Sequence, residues 1–408
     1  MFNNVTRIWT VERGDTLSKI ALAIYNDANK WPLIYSANKE LIKNPNLIFP
    51  KWKIHVPEKA KRNSPKTFID NNDDFLIVAS GTNLDFVSSL TLNTGINVAS
   101  RTAAFSVPYS EQVKDIFKAY QPIQIYIRGK LFLDGIMIRP KPTFSLENGS
   151  IMSIEVISKA HAIIQSSYKA TKDIPRSWKN ISLQKLLNIV LTGFDINVFF
   201  DDLSIQNQIF DKIGIESSET IFSFIQKIAQ QKGYLIQGLP TGDLKFTKSN
   251  ISSKPVFLFQ NDSAISASYD YDNLAKTYRV TNERDKNGAF VDVSNEFIKY
   301  PIFKQISDNK SLTGDLQSRA EWLQAQEFAK ALKVSINAND ITIDGTDDLW
   351  EENTIVEVKS PQNGYFKETL FLIENVTFNL SKDGRVATLN LVLPELRSGQ
   401  MPKEMPFL

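Results

Sequence analysis

The chain has 408 residues, of which 42% are apolar, and its 47 Lys and Arg residues nearly balance 45 Asp and Glu residues. This length and composition suffice for two to four domains with cores of their own, and no apolar run is long enough to span a membrane. Because the chain has no cysteine and only two histidines, disulfides, thiol catalysis and histidine-rich metal centres are excluded, and we predict no cofactor.

The first 57 residues predict a strand, two short helices and a closing strand. Leu17, Ile20 and Ala21 share one helical face, and Asp15 or Thr16 is the expected N-cap of that helix. A second apolar stretch is followed by a turn at residues 44–46, where proline fixes φ and asparagine tolerates turn geometry. The run 53–56 then alternates as a half-buried strand does.

Several motifs in this segment occur in a particular order. They are Trp9-Thr10-Val11, Gly14-Asp15-Thr16-Leu17, Tyr25, Trp31, Asn38, Asn44-Pro45-Asn46-Leu47-Ile48 and Ile54-His55-Val56-Pro57. Together they resemble a LysM module over about residues 5–57, which implies attachment and not catalysis. In that family two loops frame a shallow groove that binds glycans containing N-acetylglucosamine. The matching positions here are Gly14, Asp15, Thr16, Leu17, Asn44, Pro45, Asn46, Leu47 and Ile48.

One position departs from the LysM pattern. Lys51-Trp52 stands where the family usually has a pair such as Gly-Gln before the last strand. This bulkier pair affects the groove more than the fold. Two interpretations therefore stay open: the module binds glycan, or it attaches to a protein neighbour.

Residues 59–74 have the composition of a linker, with basic residues and a Ser64-Pro65 pair. Up to Lys66 the chain has twelve Lys and Arg against five Asp and Glu, and the remainder has thirty-five against forty. A basic head therefore precedes a mildly acidic body. The basic residues are scattered and not clustered with aromatic ones, so we predict a solvated or partner-facing surface and no nucleic-acid partner.

Two β-rich blocks and a helical block between them are predicted from Phe75 onward. Residues 75–166 contain short alternating runs divided by turns at Arg128-Gly129 and Asn148-Gly149, which indicates a barrel or sandwich. A helix over residues 110–120 is expected within this block.

Residues 167–258 change to helical periodicity and predict a small α/β domain. Ser182 is the expected cap of a helix that stops near Gly193, and Ser218 is the expected cap of a second helix that ends at Gly233. Two strands joined by a turn through Gly242 are expected to form a hairpin.

Residues 259–398 return to strands, with a hairpin turn at Asp383-Gly384 and an inserted helix over 315–333. The expected packing positions of this helix are Ala320, Leu323, Phe328, Ala331 and Leu332. Residues 399–408 form a short tail.

A second set of motifs spans most of residues 75–396. It comprises Leu131-Phe132-Leu133-Asp134-Gly135, Gly233, Gly242-Asp243-Leu244, Arg319 to Trp322, Ala325, Ala329, Leu349-Trp350, Asn353, Val356, Val358, Glu368 to Leu370, Leu372-Ile373, Val376, Phe378, Asp383-Gly384, Thr388-Leu389, Leu391 and Pro394. In order and spacing these motifs resemble the baseplate hub proteins of Mu-like contractile phage tails.

The hub resemblance implies a fold class of α+β, mainly β. A small LysM domain (βααβ) at 1–58 and the linker at 59–74 precede two tube-like β-barrel domains, at 75–166 and 259–398. These flank the small α/β domain at 167–258, and three chains are expected to form a ring.

The same resemblance implies a structural role. Two similar β-domains per chain, repeated by threefold symmetry, present six similar surfaces, so a trimer can seat a hexameric tail tube and hold a threefold spike. The expected partners are two further copies of the chain, the tail tube protein, a separate spike protein and other baseplate proteins, with peptidoglycan as a further partner. Because no secretory signal opens the chain, we expect assembly in the host cytoplasm and a final location in the tail baseplate of the virion.

The competing function is an enzyme or adhesin that grips peptidoglycan through LysM while the body cuts or binds it. Candidates for a glycosidase or a divalent-cation site are the carboxylate pairs Asp201-Asp202, Asp347-Asp348 and Glu351-Glu352. Adjacent residues of a strand point to opposite faces, so no catalytic residue or metal ligand is predicted. His161 is expected to be buried and hydrogen-bonded, and Trp322 and Trp350 are expected to be core or subunit-interface anchors.

Overall fold

The computed structural model describes residues 6–25, 28–39, 41–45, 47–57, 69–70, 75–84, 86–109, 116–145, 149–172, 174–260, 264–272, 274–281, 289–307, 316–361, 366–381 and 384–404. The chain divides into two compact units, Met1–Leu90 with Ala104–Val156, and Thr91–Ala103 with Ile157–Leu408. Within the described residues no helix is both long and apolar enough to cross a membrane.

The N-terminal part of the first unit combines a two-stranded sheet with short helices. Its elements are β1 (Thr6–Thr10), α1 (Leu17–Tyr25), a 3₁₀ helix (Ala28–Lys30), α2 (Trp31–Ser36) and β2 (Lys53–Pro57). β1 and β2 are antiparallel. The predicted face of α1, Leu17, Ile20 and Ala21, is buried in one core with Ile34 and Ile54. The expected βααβ arrangement is confirmed.

Residues 69–158 contribute strands to a large sheet. The strands of this segment are β3 (Ile69–Asp70), β4 (Phe75–Ala79), β5 (Thr82–Leu84), β6 (Phe86–Val87), β7 (Ser89–Gly95), β8 (Thr102–Pro108), β9 (Pro122–Ile127), β10 (Lys130–Met137), β11 (Lys141–Ser145) and β12 (Gly149–Ser158). The strand order is β7-β8-β12-β10-β9-β4-β5, with β11 on β12 and a separate β3-β6 pair.

Turns in this sheet follow the sequence prediction where they are described. Arg128 and Gly129 have φ of 46° and 76° and join the antiparallel strands β9 and β10 as a two-residue hairpin turn. Of the expected turn at Asn148-Gly149, Asn148 lies outside the described residues. Residues 110–115 of the expected helix over 110–120 also lie outside them. Its expected end at Tyr120 was wrong, because residues 117–120 are not helical and Tyr120 has φ of 67°.

The second unit begins with an α/β region. Its elements are α3 (His161–Gln165), β13 (Ser177–Ser182), α4 (Leu183–Val190), β14 (Val198–Phe200), α5 (Leu203–Gln206), β15 (Ile209–Gly214), α6 (Ile221–Gln231), β16 (Tyr234–Gly238) and β17 (Leu244–Lys248). β16 and β17 form the predicted hairpin, β14 joins β17 in parallel, and β13 pairs with β15.

One of the two helix caps predicted for this region is confirmed. The backbone N–H of Lys185 donates to Ser182 Oγ at 3.4 Å, so Ser182 caps α4 as expected. At α6 the prediction of Ser218 as the cap was wrong: the N–H of Ser223 donates to Thr220 Oγ1 at 3.2 Å. Thr220 has the extended backbone that an N-cap requires, with φ −73° and ψ 155°.

The elements after the α/β region are β18 (Leu258–Phe259), β19 (Ala264–Tyr269), β20 (Thr277–Thr281), β21 (Phe290–Ser294), β22 (Phe303–Ser307), α7 (Leu316–Ala331), β23 (Leu332–Ala338), β24 (Ile355–Ser360), β25 (Phe366–Ser381), β26 (Gly384–Val392) and α8 (Pro394–Ser398). β25 and β26 form the predicted hairpin, with Ser381 opposite Gly384; Asp383 lies outside the described residues. β20 to β22 form a separate sheet, in the order β21-β20-β22, which buries Tyr278 and Val280.

The inserted helix α7 lies within its predicted range. Four of the five expected packing positions are buried, and Leu323 is half-buried. Two glutamines are buried beside them: Gln324 is 3% exposed and Gln326 is 7% exposed. The amide of Gln326 donates to the carbonyl of Leu396 at 3.0 Å, so this helix is fixed to α8 by polar as well as apolar contacts.

Two groups of five strands within the large, 14-stranded sheet repeat one strand order. In chain order the strands of the first group are β7, β8, β9, β10 and β12, and those of the second group are β19, β23, β24, β25 and β26. Both sets are arranged first-second-fifth-fourth-third, as β7-β8-β12-β10-β9 and β19-β23-β26-β25-β24. Beyond the third strand they differ, because β4 is antiparallel to β9 whereas β18 is parallel to β24. The expected fold class, α+β and mainly β, is confirmed.

Candidate functional site

The loop between β1 and α1 is the first of the two loops assigned to binding. Gly14 has φ of 93° with open space on its Cβ side, so a larger residue would fit there only with a strained backbone. Thr16 Oγ1 accepts from the backbone N–H of Lys19 at 3.2 Å and caps α1. Leu17 is 2% exposed. It supports the loop from beneath and offers no surface to a partner.

Asp15 holds this loop in one conformation. Its Oδ2 accepts from Trp9 Nε1 at 3.1 Å and from the backbone N–H of Glu12 at 2.9 Å. Lys19 Nζ donates to the Gly14 carbonyl at 3.0 Å. Hydrogen bonds to an ionised carboxylate are among the stronger ones in proteins. The loop is therefore shaped by its own side chains before any partner binds.

The second loop lies between α2 and β2. The backbone N–H of Leu47 donates to the carbonyl of Asn44 at 3.0 Å and closes the turn. Leu47 is 53% exposed, Asn44 is exposed, and Pro45 and Ile48 are half-buried. Asn46 lies outside the described residues. Among the described positions of this loop, Leu47 thus offers the largest apolar surface.

Phe49 extends that apolar surface and was not among the predicted residues. It is 46% exposed, and its ring meets Trp52 edge-on with centroids 5.2 Å apart. Lys51 between them has φ of 73°, and its N–H donates to the carbonyl of Val11 at 2.7 Å. The signal in the sequence was the Phe-Pro pair directly before Lys51-Trp52. Leu47, Phe49 and Lys51 together form an apolar and basic edge.

Asn38 ties the helical and strand parts of this domain together. Its Nδ2 donates to the carbonyls of Ile34 at 2.7 Å and His55 at 2.6 Å, and its Oδ1 accepts from the N–H of His55 at 2.7 Å. The side chain is 5% exposed, and both its amide nitrogen and its oxygen are engaged. The end of α2 and the strand β2 consequently form one rigid piece.

The carboxylate pair Asp201-Asp202 borders a cavity of about 310 Å³. Asp201 Oδ1 is 2.8 Å from Lys245 Nζ, and Asp202 caps α5 by accepting from the N–H and the hydroxyl of Ser204, each at 2.7 Å. The hydrogen bond from the Ser204 backbone is the main cause that lowers the pKa of Asp202 below its ordinary value. A glycosidase needs one carboxyl whose pKa is raised. The geometry of this pair is that of a structural cap and an ion pair.

The pair Glu351-Glu352 contains one buried acid. The Glu352 side chain is 4% exposed, and its Oε1 is 3.3 Å from Arg101 Nη2. Arg101 Nε donates to the carbonyl of Gly238 at 2.9 Å, and the side-chain amide of Gln237 donates to the carbonyl of Glu352 at 3.3 Å. This network, which we call the Arg101 joint, connects three distant stretches of the second unit.

The surroundings of the remaining candidate residues indicate structural roles. Asp347 and Asp348 lie in an exposed turn. Trp350 is 2% exposed and stacks on Phe259 with centroids 5.5 Å apart, as expected of a core anchor. His161 is half-buried at the start of α3, so the expectation of a buried histidine was wrong. In the described part of the chain no three His, Asp or Glu side chains lie close enough together to hold a metal ion.

Comparison with protein families matches three segments of the chain. Residues 10–57 match the LysM domain, residues 169–248 match the second domain of the gp44-like baseplate hub protein, and residues 313–398 match the fourth domain of the Mu phage baseplate assembly protein GpP. The three matches follow one another along the chain without overlap.

Individual relatives agree with these segments. The potassium binding protein Kbp of Escherichia coli O6:H1 is 39% identical over 54 residues, which are 13% of this chain and 36% of that protein. The baseplate hub protein gp44 of Escherichia phage Mu is 22% identical over 232 residues, which are 52% of this chain and 60% of gp44. The chain thus spans less than two thirds of either relative.

A solved structure shares the fold. The 43 kDa tail protein of prophage MuSo2 from Shewanella oneidensis superposes with a TM-score of 0.67 at 20% identity, over 81% of this chain and 100% of that protein. The fold and family matches together indicate a phage-tail baseplate protein. More particularly, the chain carries domains of Mu-like baseplate hub proteins behind an N-terminal LysM domain. Both resemblances drawn from the sequence are confirmed.

Proposed function

We propose that the chain is the structural baseplate hub of a contractile phage tail or a related injection machine, and that three copies form a ring. The repeated five-strand order carries the proposal. Under threefold symmetry, two five-strand groups of one pattern per chain give six similar groups. Such a ring matches a hexameric tail tube on one side and a threefold spike on the other.

The strand β19 is the edge that we assign to ring closure. It stands at one end of the strand order of the large sheet, beside β23. Its exposed residues are Ala264, Ser266 and Ser268, whose small side chains leave room for a strand of a neighbouring copy. Pairing there would supply backbone hydrogen bonds and cover an edge that otherwise invites aggregation.

Native mass spectrometry tests the ring. The chain of 46.2 kDa is expected to assemble with three times that mass. Ser266→Lys combined with Ser268→Lys should leave it monomeric, because charged residues on an edge strand oppose pairing. The matched control is Ser252→Lys with Ser253→Lys, at two exposed positions outside the strands. A monomeric unmodified chain, or a control that dissociates equally, would count against closure through β19.

The proposed role is structural and not catalytic. The tail tube protein, the spike protein and other baseplate proteins are the proposed partners, and the tail baseplate of the virion, assembled in the host cytoplasm, is the proposed location. The engagement of Asp201, Asp202 and Glu352 in caps and ion pairs supports this role. The domain boundaries inferred from the sequence, 1–58, 59–74, 75–166, 167–258, 259–398 and 399–408, belong to the proposal.

The LysM loops are the proposed attachment site for a protein neighbour in the baseplate. The apolar and basic edge of Leu47, Phe49 and Lys51 supports this, since exposed apolar residues with a charged rim are typical of interaction surfaces. Leu47→Asp should lower retention of the hub in assembled tail particles. Leu22→Asp is the control, because Leu22 is similarly exposed, at 51%, but lies on α1 outside both loops.

Peptidoglycan binding is the second candidate for the same loops. The exposed Phe49 ring beside Trp52 favours it, because aromatic faces commonly stack on sugar rings. Co-sedimentation with purified peptidoglycan separates the two candidates. If Leu47→Asp abolishes co-sedimentation and Leu22→Asp does not, glycan binding is supported; if the unmodified chain fails to sediment, only the protein neighbour remains.

A further inference from the structure

The strand β9, which lies between β4 and β10, carries buried residues on both of its faces. On β9, Ile123, Ile125 and Ile127 are fully buried on one face. Tyr126 lies on the opposite face and is only 4% exposed, and so is Val78 of β4, which is paired with Gln124 on that same face. A sheet face that carries a buried tyrosine and valine must be covered by another part of the molecule.

The covering part is the end of α2 in the LysM domain. Lys39 Nζ donates to Gln124 Oε1 at 2.8 Å, across 85 residues of sequence. The same Oε1 accepts from the Tyr126 hydroxyl at 3.2 Å, and Gln124 Nε2 donates to Asp134 Oδ2 at 3.1 Å. Gln124 thus connects the lysine of one domain to two polar residues of the other.

The surroundings of Tyr126 agree with this contact. Burial, followed by the charge of Asp134, raises the pKa of Tyr126 to about 12, and Tyr35 of α2 acts in the same direction. The side chain of Ser36, also on α2, acts in the opposite direction and lowers that pKa. Two residues of α2 therefore lie beside a tyrosine of β9.

The contact extends to the whole LysM domain. Asn38, next to Lys39, is bonded to both Ile34 and His55, so the end of α2 cannot move without β2. The loops proposed for attachment stay exposed in this arrangement, with Gly14 and Leu47 accessible to a partner.

We propose that the LysM domain packs permanently against the sheet of β4, β9 and β10, in an interface that we call the seat. The seat is formed by Tyr35, Ser36 and Lys39 of the LysM domain and by Val78, Gln124, Tyr126 and Asp134 of the sheet. The domain is then a fixed part of the hub and not a tethered module. This inference rests on the proposed function for its consequence: a threefold hub presents three sets of attachment loops at a fixed spacing.

Zero-length cross-linking tests the seat. Gln124→Glu with Asp134→Asn exchanges the amide and the acid, which keeps the net charge and the donor–acceptor pair while placing a carboxylate beside Lys39. A carbodiimide then joins the carboxylate at position 124 to the amine of Lys39 as an amide. The carbodiimide itself takes up the released water and becomes a urea. The expected product is a peptide pair linked between positions 39 and 124. Adding Lys39→Met should abolish it.

An internal control makes a negative result decisive. Lys359 Nζ and Glu368 Oε1 are 2.6 Å apart and exposed, so they should cross-link in every sample. If that pair links while positions 39 and 124 do not, the seat is refuted. Because the cross-link forms within one chain, a monomeric protein that still gives it would refute the ring and leave the seat intact.

Hydroxyl-radical footprinting of the unmodified chain tests the same seat without a substitution. Tyr126 should be oxidised as little as the fully buried Tyr278, and many-fold less than Tyr120, which is 74% exposed. Oxidation of Tyr126 at the rate of Tyr120 would mean that the LysM domain leaves the sheet, and would overturn the proposal.

Discussion

At the scale of single residues, the Arg101 joint contains a largely buried ion pair. Its guanidinium reaches Glu352 at 3.3 Å and the Gly238 carbonyl at 2.9 Å, and a Cβ on Gly238 would lie 2.3 Å from the carbonyl of Ala99. The backbone at Ala99 and Gly238 thus packs closely beside this pair, whose side chains are 16% and 4% exposed. Removal of one charge therefore affects the other.

The substitution Glu352→Gln tests this coupling. It keeps the shape but removes the charge that faces Arg101, and breaking a buried ion pair in this way should lower the free energy of unfolding by about 3 kcal/mol. Replacing both partners, Arg101→Met with Glu352→Leu, should cost less, because no buried charge is left. Urea denaturation measures both. If the double variant is the less stable one, the pair itself stabilises the fold and the interpretation fails.

Tyr126 gives a pH dependence with a defined sign. Its pKa is raised from 10.0 to about 12, chiefly by burial and then by Asp134. Between these values the unfolded chain releases the phenolic proton and the folded chain keeps it, so stability is full below the ordinary pKa and falls as the pH rises through this window, by up to about 1.4 kcal/mol per pH unit. Tyr126→Phe should flatten that slope in urea titrations at alkaline pH. An unchanged slope would mean that Tyr126 is accessible to water.

At the scale of elements, the cap of α6 offers a matched pair of substitutions. Thr220→Ala removes the acceptor of the Ser223 N–H and should destabilise the chain by about 1 kcal/mol. Ser218→Ala alters an exposed side chain two residues earlier and should change stability by less than about 0.5 kcal/mol. Thermal unfolding of both variants distinguishes the two positions, and a larger loss for Ser218→Ala would show that the cap has been misassigned.

The same helix illustrates what local sequence can predict. Apolar periodicity located α6, and the turn residues Arg128-Gly129 located the β9–β10 hairpin. Both signals depend only on residues that are neighbours in the sequence. The choice of Thr220 over Ser218 depends on which residue takes an extended backbone, and there Thr220 also bridges to Ser167. That constraint comes from another part of the chain.

The candidate sites also divide into features that depend on neighbouring residues and features that depend on distant parts of the chain. The positions of the LysM loops were predictable from their motifs, but the burial of Leu17 beneath its loop was not. The contact of Arg101 with Glu352 joins residues 251 positions apart, and the contact of Lys39 with Gln124 joins residues 85 apart. No periodicity or motif spacing reports such pairs, because they depend on how separately formed elements meet.

At the scale of the whole molecule, the uneven charge of the chain poses a question about assembly. Residues 1–66 carry twelve basic and five acidic side chains, and the remainder carries thirty-five basic and forty acidic ones. Copies could therefore attract one another through a basic head and an acidic body, in place of the strand pairing proposed for β19. The two modes differ in their response to salt.

Sedimentation velocity at two salt concentrations separates the two modes. Raising the ionic strength from about 0.1 M to about 1 M shortens the Debye length from about 10 Å to about 3 Å, which removes most attraction between exposed charges. Backbone hydrogen bonds and buried apolar contacts persist under these conditions, so the trimer should keep its sedimentation coefficient. Dissociation in high salt, with Ser266→Lys and Ser268→Lys having no effect in low salt, would assign ring closure to charge and not to the edge strand.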